Sequence, residues 1–154
     1  MIRSVLVSSG FMAALAVSGW SGSAHAEPTN PEPERETLTV VVNGVESADG
    51  VVRCAIFPVD EGFPMDAAEE NRQFLAATPG TVTFVFDGLT PGTYAVAVSH
   101  AANDNGRTDT NFLGIPREAW GVSNNVRPSL RAPRFTEAAF ELGDGQTTIE
   151  VDVR

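Results

Sequence analysis

The sequence has no lysine and only one cysteine among its 154 residues. Without lysine, the chain can form neither a Schiff base nor a phosphate-binding P-loop. A single cysteine excludes an internal disulfide. Cys54 lies on the apolar face of an alternating segment, which favours a buried thiol over a reactive thiol or a disulfide between two chains.

Positive charge is also scarce, because the sequence has 20 acidic residues and only 10 arginines, which gives a net charge of -10. Nucleic-acid binding neutralises phosphates with cations, and anionic lipid likewise attracts cations, so we expect neither partner. Solubility is the favoured reason for the acidic balance, and cation binding is the alternative.

Long apolar runs are missing after residue 26, and residues 1–26 predict a secretory signal peptide. Arg3 supplies the positive start, residues 5–17 the apolar part, and Ala24-His25-Ala26 the cleavage site. The apolar part is too short to cross a bilayer, which disfavours the alternative of a transmembrane anchor. We therefore expect a periplasmic or secreted protein with no membrane insertion after cleavage.

The mature chain is predicted to be a proline-rich linker, residues 27–36, followed by one domain, residues 37–154. Five segments of the domain alternate apolar and polar residues, which is typical of strands with one buried face. They are 37–43, 51–57, 81–87, 93–99 and 147–153. In the fourth segment, the residues opposite the buried face are small. Dipeptides such as Asp49-Gly50 and Pro91-Gly92 predict turns between the segments.

Two short helical segments are expected beside these strands. The first runs from about 64 to 77, between Pro64 and Pro79-Gly80, with a weak apolar stripe. The second, over 135–140, is a short helix or an irregular turn. The predicted fold class is all-β, an antiparallel Ig-like or prealbumin-like β-sandwich with one or two short helices and a long ordered loop.

That loop is the stretch 99–133, where the strand pattern breaks for about 35 residues. Loops of this length in compact domains are usually functional or disordered. Apolar residues including Phe112, Ile115 and Trp120 can pack, so an ordered loop is the prediction.

Three pieces of sequence resemble a known family. They are Gly62-Phe63-Pro64, the run Leu89-Thr90-Pro91-Gly92-Thr93-Tyr94-Ala95-Val96, and the stretch 100–124 with Gly114-Ile115-Pro116-Arg117-Glu118 and Gly121-Val122-Ser123-Asn124. Together they are similar to the bacterial DUF2141 family of exported proteins over about residues 37–154. The second piece is also similar to transthyretin-like domains, which implies a prealbumin-type sandwich. The family resemblance implies a fold and a compartment but no activity.

The family's loop resembles a calcium loop, which implies oxygen ligands at Asn103, Asn105 and Asp109 with Gly106 at the bend. Ala101 stands where the family pattern has its first aspartate, and Phe112 stands where a calcium loop has glutamate. A turn in which Asn and Asp bond their own backbone is therefore the favoured interpretation, and a Ca²⁺ site is the alternative.

The residue types that are present give little support to a catalytic role. After signal cleavage His100 is the only histidine, which excludes a zinc site of several His or Cys ligands. A weak hydrolase could use Ser123, His100 and Asp104 or Asp109, but no nucleophile-elbow motif accompanies them. A carboxylate pair such as Asp109 and Glu118 has no distinguishing spacing. We therefore expect no enzyme.

Several residues in or near the loop each allow two interpretations, a structural role or a role in binding. His100 is expected to clamp the loop, with a ligand contact as the alternative. Trp120 either packs the loop onto the sandwich or anchors a partner. The cluster Arg127, Arg131 and Arg134 either binds an anionic group or pairs with acids such as Glu137.

The function predicted from the sequence is a non-catalytic binding or interaction module that uses the 100–128 loop. Its partner is an envelope protein or a small ligand of unspecified identity. The alternatives are a structural envelope domain whose loop only covers the core, or a calcium-stabilised loop. The candidate binding residues are His100, Asn103, Asn105, Asp109, Asn111, Glu118, Trp120, Ser123 and Asn124.

Overall fold

The computed structural model describes residues 34–102, 118–143 and 145–154. The predicted signal peptide, most of the predicted linker and residues 103–117 of the predicted loop lie outside this part of the chain. The described residues all belong to one compact unit, Pro31–Arg154. Among them, no helix has both the length and the apolar character needed to cross a bilayer.

Eight strands and one short helix make up the described part of the chain, together with two 3-10 turns. The strands are β1 Glu36–Val45, β2 Val51–Phe57, β3 Arg72–Ala76, β4 Gly80–Leu89, β5 Gly92–Ala101, β6 Ala119–Val122, β7 Phe140–Leu142 and β8 Gln146–Asp152. The helix is α1, Phe135–Ala138, and the 3-10 turns are Glu69–Asn71 and Ser123–Asn125.

The strands form two sheets, which confirms the predicted all-β sandwich. The three-stranded sheet has the order β4-β1-β8, and the five-stranded sheet has the order β3-β2-β5-β6 with β7 paired to β5. One pair departs from the predicted antiparallel arrangement, because β1 and β8 are parallel. The chain enters β8 after a long excursion through the other sheet, and such a crossover permits parallel pairing.

The core lies between the sheets and consists of the alternating apolar residues that the sequence pattern predicted. All five predicted strands are present, and their apolar faces form one cluster. Its fully covered members include Leu38, Val40, Val52, Val96 and Val151. Burial of apolar side chains from both layers is the main favourable term that holds the sandwich together.

The predicted helix over 64–77 is wrong. The chain forms a 3-10 turn at Glu69–Asn71 and then the strand β3, which pairs antiparallel with β2. The apolar stripe of the predicted helix was weak, so little burial favoured a helix. Pairing with the free edge of β2 satisfies the backbone of β3 and overrides the local preference of its residues.

Two further strands, β6 and β7, were missed by the sequence reasoning. β6 lies within the segment that was predicted to be loop, and β5 extends two residues into it, to Ala101. At four and three residues, β6 and β7 are too short to show alternation, and Gly121 interrupts the apolar pattern of β6. The predicted short helix or turn over 135–140 is present as α1.

Tyr94 explains the second of the three family-like pieces. Its ring lies in the core, and its hydroxyl donates a hydrogen bond of 2.9 Å to the backbone carbonyl of Thr90. The bond spans the Pro91-Gly92 turn and fixes the corner at which β4 leads into β5. A buried tyrosine that bonds the backbone a few residues upstream is a known corner device of β-sandwiches.

Cys54 is buried in the core, in agreement with the favoured interpretation of its sequence context. Burial raises the pKa of its thiol well above the ordinary range, because the thiolate would lose its hydration. The thiolate is the species that reacts with oxidants and disulfides. Reaction at Cys54 therefore requires the sandwich to open.

Candidate functional site

The outer face of the five-stranded sheet, which points away from the three-stranded sheet, carries a cleft. Residues directly opposite each other on paired strands share a face, so two rows of residues cross this surface. The rows are Phe74–Arg53–Ser99–Trp120 and Arg72–Ala55–Ala97–Val122. The cleft lies over the β3, β2 and β5 part of these rows, where the large side chains of Phe74 and Arg72 stand beside the small side chains of Ala55, Ala97 and Ser99.

A family-like motif positions the end wall of the cleft. The wall consists of Pro64, Met65 and Asp66, which lie in the connection between β2 and β3. Gly62 has φ +76°, and its carbonyl accepts bonds from the amides of Met65 and Asp66, at 2.9 and 2.7 Å. A side chain at position 62 would collide with the carbonyl of Asp66, so this turn requires glycine.

Phe63, the second residue of the motif, fixes the turn to the sandwich. Its ring packs edge-on against Phe57 and Phe135, with ring centroids 5.1 and 6.0 Å apart. Edge-to-face aromatic pairs stabilise by more than the area that they bury. The Phe63-Pro64 peptide bond is cis. These contacts place Pro64 and Met65 beside β2 and β5.

The cleft has a volume of about 370 Å³, which lies within the range of small-molecule sites. Its floor is formed by Ala55, Ala97 and Ser99, and its apolar walls by Phe74 and Met65. Phe74 is 56% exposed and Met65 is 41% exposed, which are high values for large apolar side chains. A concave floor with exposed apolar walls is a surface suited to a small ligand.

Two arginines and one aspartate give the cleft its charge. The Arg72 guanidinium pairs with the Asp66 carboxylate at 3.2 Å and also donates to the carbonyl of Ala67. Arg53 is different, because its Nη2 atom is buried and has no hydrogen-bond partner among the described residues. An arginine nitrogen that is removed from water and has no acceptor is costly to the folded state.

His100 lies on the opposite face of the same sheet, because its register partners are Val52 and Ala119. It is 6% exposed, and its Nε2 lies 2.9 Å from the carbonyl of Asp49 in the β1–β2 turn. The imidazole therefore holds this turn against the end of β5. The sequence predicted that His100 clamps the long loop. This hydrogen bond instead joins His100 to Asp49 in the turn between β1 and β2.

Trp120 is 6% exposed and belongs to a second apolar cluster on the outer face, with Val122, Ala95 and Ala138. The Arg127 guanidinium lies over its ring at 4.2 Å and also donates to the backbone carbonyl of Trp120. The pKa of Arg127 is lowered, first by desolvation and then by the nearby charge of Arg154. Trp120 is thus packed against the outer face of the sheet, and the Arg127 guanidinium covers its ring.

Ser123 and Asn124 connect β6 to the segment around α1. The buried Ser123 hydroxyl accepts the amide hydrogen of Val96 at 2.9 Å and donates to the carbonyl of Ala138. Asn124 has φ 59°, and its side-chain amide donates to the carbonyls of Glu137 and Ala139. Both side chains therefore form hydrogen bonds with backbone groups that lie in the core or in a turn. This structural role accounts for the family-like Gly121-Val122-Ser123-Asn124 piece.

Replacing Ser123 with alanine is expected to lower the free energy of unfolding by about 2 kcal/mol, because the buried amide of Val96 loses its acceptor. Equilibrium urea denaturation followed by circular dichroism measures this change. Ser47→Ala is the matched control, since the Ser47 hydroxyl accepts only from the exposed amide of Asp49. Equal stability of the two variants would contradict the structural role of Ser123.

The Glu137 side chain contacts two of the three clustered arginines. Its carboxylate pairs with the Arg131 guanidinium at 2.6 Å and accepts the backbone amide of Arg134 at 2.9 Å. The hydrogen bond from Arg131 and then that from Arg134 lower the pKa of Glu137 to about 2. The pairing of this cluster with Glu137 is thus confirmed for Arg131, whereas Arg127 stacks on Trp120.

The pH dependence of stability follows from this lowered pKa. The Glu137 carboxylate stabilises the folded state above its ordinary pKa of 4.5, and this contribution is lost as the pH falls toward 2. We expect the melting temperature of Glu137→Gln to lie below that of the unmodified protein at pH 6, and the gap to close near pH 2. Glu141→Gln is the control, because it removes the charge of an exposed carboxylate that accepts a hydrogen bond from Thr93 but pairs with no arginine among the described residues. A gap that is independent of pH would contradict the assignment.

The structure does not gather the predicted binding residues into one cluster. His100 faces the sandwich interior, Trp120 faces outward, and Ser123 and Asn124 bond backbone groups near α1. The oxygens of the Glu118 carboxylate are buried just before β6. Asn103, Asn105, Asp109 and Asn111 lie outside the described residues. The binding role of all nine residues stays a prediction.

The predicted Ca²⁺ site also stays a prediction, because its ligands Asn103, Asn105 and Asp109 lie in the part of the chain that is not described. Within residues 34–102, 118–143 and 145–154, no group of three or more His, Cys, Asp or Glu side chains could hold a metal ion.

The sequence reasoning missed the cleft residues Arg53, Arg72, Phe74 and Met65. One signal was present, namely the small residues on the outward face of β5. Exposed strand positions are ordinarily polar, so alanines there indicate a covered or concave surface. The position of Phe74 next to Arg53 could not be found, because β3 itself was predicted to be helical.

The family comparison agrees with the pieces of sequence explained above. The family model described as "Uncharacterized protein conserved in bacteria (DUF2141)" matches residues 40–150, which is most of the chain. The chain belongs to the DUF2141 family. The match begins in β1 and ends in β8, so the DUF2141 region includes both sheets, the cleft and Trp120. No curated protein and no solved structure matches the chain.

Proposed function

We propose that this DUF2141 protein is an exported, non-catalytic binding module that holds a small ligand in the cleft on the outer face of the five-stranded sheet. The observation that carries the proposal is the cleft of about 370 Å³ with exposed Phe74 and Met65 beside the buried, unpartnered Nη2 of Arg53. The strand β5, which contributes the floor residues Ala97 and Ser99, ends at Ala101, inside the 100–128 stretch that the sequence singled out.

The bonds of the candidate catalytic side chains support a non-catalytic role. The Ser123 hydroxyl is bonded to backbone groups of Val96 and Ala138, and the His100 imidazole is bonded to the carbonyl of Asp49. A serine nucleophile needs a base within hydrogen-bond reach of its hydroxyl. These bonds stabilise the backbone of the domain. They also occupy the serine hydroxyl and the imidazole nitrogen that a hydrolase would need for its reaction.

A fragment screen by nuclear magnetic resonance tests the proposed function. We expect some small molecules to shift the backbone amide signals of Ala55, Ala97 and Ser99, which form the floor of the cleft. Ser99→Leu fills the cleft and should abolish these shifts. Thr83→Leu places the same side chain on an exposed position of β4, in the other sheet, and should leave them unchanged.

A structural envelope domain is the second candidate function. It is favoured by the hydrogen bonds of His100, Ser123 and Asn124, all of which go to backbone groups of the same domain. If no fragment shifts the floor signals, or if Ser99→Leu leaves the shifts intact, the binding proposal fails and the structural candidate is preferred.

A further inference from the structure

We infer that the cleft binds a small organic monocarboxylate whose body is apolar, with the carboxylate on Arg53. This inference rests on the proposed function and specifies its ligand class. Three features carry it: the state of Arg53, the balance of charge in the cleft, and the apolar side chains that line it.

Arg53 is the group that selects an anion. Its neighbours across the sheet are Phe74 on β3 and Ser99 on β5, so its side chain rises from the centre of the cleft. No described residue accepts a hydrogen bond from the buried Nη2 atom. Because Nη2 is shielded from water in this structure, a carboxylate reaches it only when the Arg53 guanidinium turns toward the cleft. The carboxylate would then supply the missing acceptor with the two-pronged geometry that suits a guanidinium.

The charge balance of the cleft fits one negative charge better than two. Arg72 is already paired with Asp66 at 3.2 Å, whereas the Nη2 atom of Arg53, the other cation of the lining, has no acceptor among the described residues. With Asp66 and Arg72 neutralising each other, the lining keeps the single positive charge of Arg53. One carboxylate balances that charge, whereas a doubly charged phosphate would leave one negative charge without a partner in the cleft.

The remaining surface requires an apolar ligand body. Phe74 and Met65 are exposed at the walls, and Ala55 and Ala97 present methyl groups at the floor. Covering these side chains removes apolar surface from water, which is favourable and not directional. The lining thus combines one orienting cation with apolar contacts, the usual composition of a small-molecule site.

Titration with 4-phenylbutyrate and its neutral analogue 4-phenylbutyramide tests the inference. Both probes have the same apolar body, and the amide signals of Ala97 and Ser99 report their binding. We expect the carboxylate to bind about tenfold more tightly than the amide, the difference expected for a charged hydrogen bond. Phenyl phosphate should bind more weakly than 4-phenylbutyrate.

Arg53→Gln should abolish the preference for the carboxylate while the floor signals still respond to both probes. Arg35→Gln is the matched control, because it removes the same charge from an exposed arginine that bonds the carbonyl of Gly88 outside the cleft. Equal affinity for the two probes, tighter binding of phenyl phosphate, or a preference that survives Arg53→Gln would overturn the ligand class but leave the binding module intact. A cleft that responds to no probe and no fragment would overturn both.

Discussion

Replacing Gly121 with alanine is expected to lower the free energy of unfolding by about 3 kcal/mol. Gly121 lies in β6, where the strand passes closest to the end of β8. A Cβ atom at this position would lie 2.3 Å from the carbonyl oxygen of Asp152 and 2.9 Å from Cγ1 of Val151. Since the nearest group is backbone, relief requires β6 and β8 to move apart.

The cost extends beyond one contact, because β6 and the chain after β8 bond each other through Trp120 and Arg154 at 3.4 Å. Separating them weakens the seam between the two sheets and, because β6 pairs with β5, displaces the strand that carries the floor residues Ala97 and Ser99. Urea denaturation followed by circular dichroism gives the stability change, and the fragment titration gives the change in binding. We expect both to fall.

Gly143→Ala is the matched control for this prediction. Gly143 lies between β7 and β8, and a Cβ atom there would have no heavy atom within 4 Å. Its substitution should change stability by no more than about 0.5 kcal/mol. If Gly121→Ala were equally harmless, the close approach of β6 to β8 would be refuted.

Phe84→Ala is expected to have the largest effect, a loss of about 4 kcal/mol in the free energy of unfolding. Phe84 is 1% exposed in β4 and fills the core between the sheets. Truncation removes buried apolar surface and leaves a cavity that the two layers cannot close, since each is held by its own hydrogen bonds. Domains of this size are stable by about 5–15 kcal/mol, so the variant should be close to unfolding.

Val85→Ala supplies the control for this second prediction, because Val85 is the next residue of β4 and points outward with 45% exposure. Its loss should be below about 1 kcal/mol, with the same dependence of unfolding free energy on urea concentration. Similar values for the two variants would mean that β4 does not present Phe84 to the core. That result would contradict the register of β4 against β1.

The candidate site divides into parts that the sequence revealed and parts that it did not. Trp120, Ser123 and Asn124 could be chosen as candidates because they lie in family-like pieces of sequence. In the structure, Trp120 packs in an apolar cluster, and the other two side chains form hydrogen bonds with backbone groups. Arg53 could not be selected, because an arginine in the polar phase of a strand is indistinguishable from a solvated one. Only the register of β2 against β3 and β5 places it in a cleft.

The sequence by itself determined the sandwich. Alternation with period two decides which side chains are buried, and it does so locally, so Val40, Cys54 and Phe84 could all be assigned to the core before any strand pairing was known. The dipeptides Asp49-Gly50 and Pro91-Gly92 marked turns for an equally local reason, since glycine and proline permit or restrict particular backbone angles.

The tertiary structure alone decided how the strands are paired. The parallel contact of β1 with β8, the pairing of β3 with β2, and the seam between β6 and β8 join residues far apart in the chain. Pairing energy of this kind depends on which edges are free after the whole domain has assembled, and no local pattern contains that information. The cleft exists because those pairings set Phe74 beside Arg53, and Arg53 beside Ser99, on one face of the sheet.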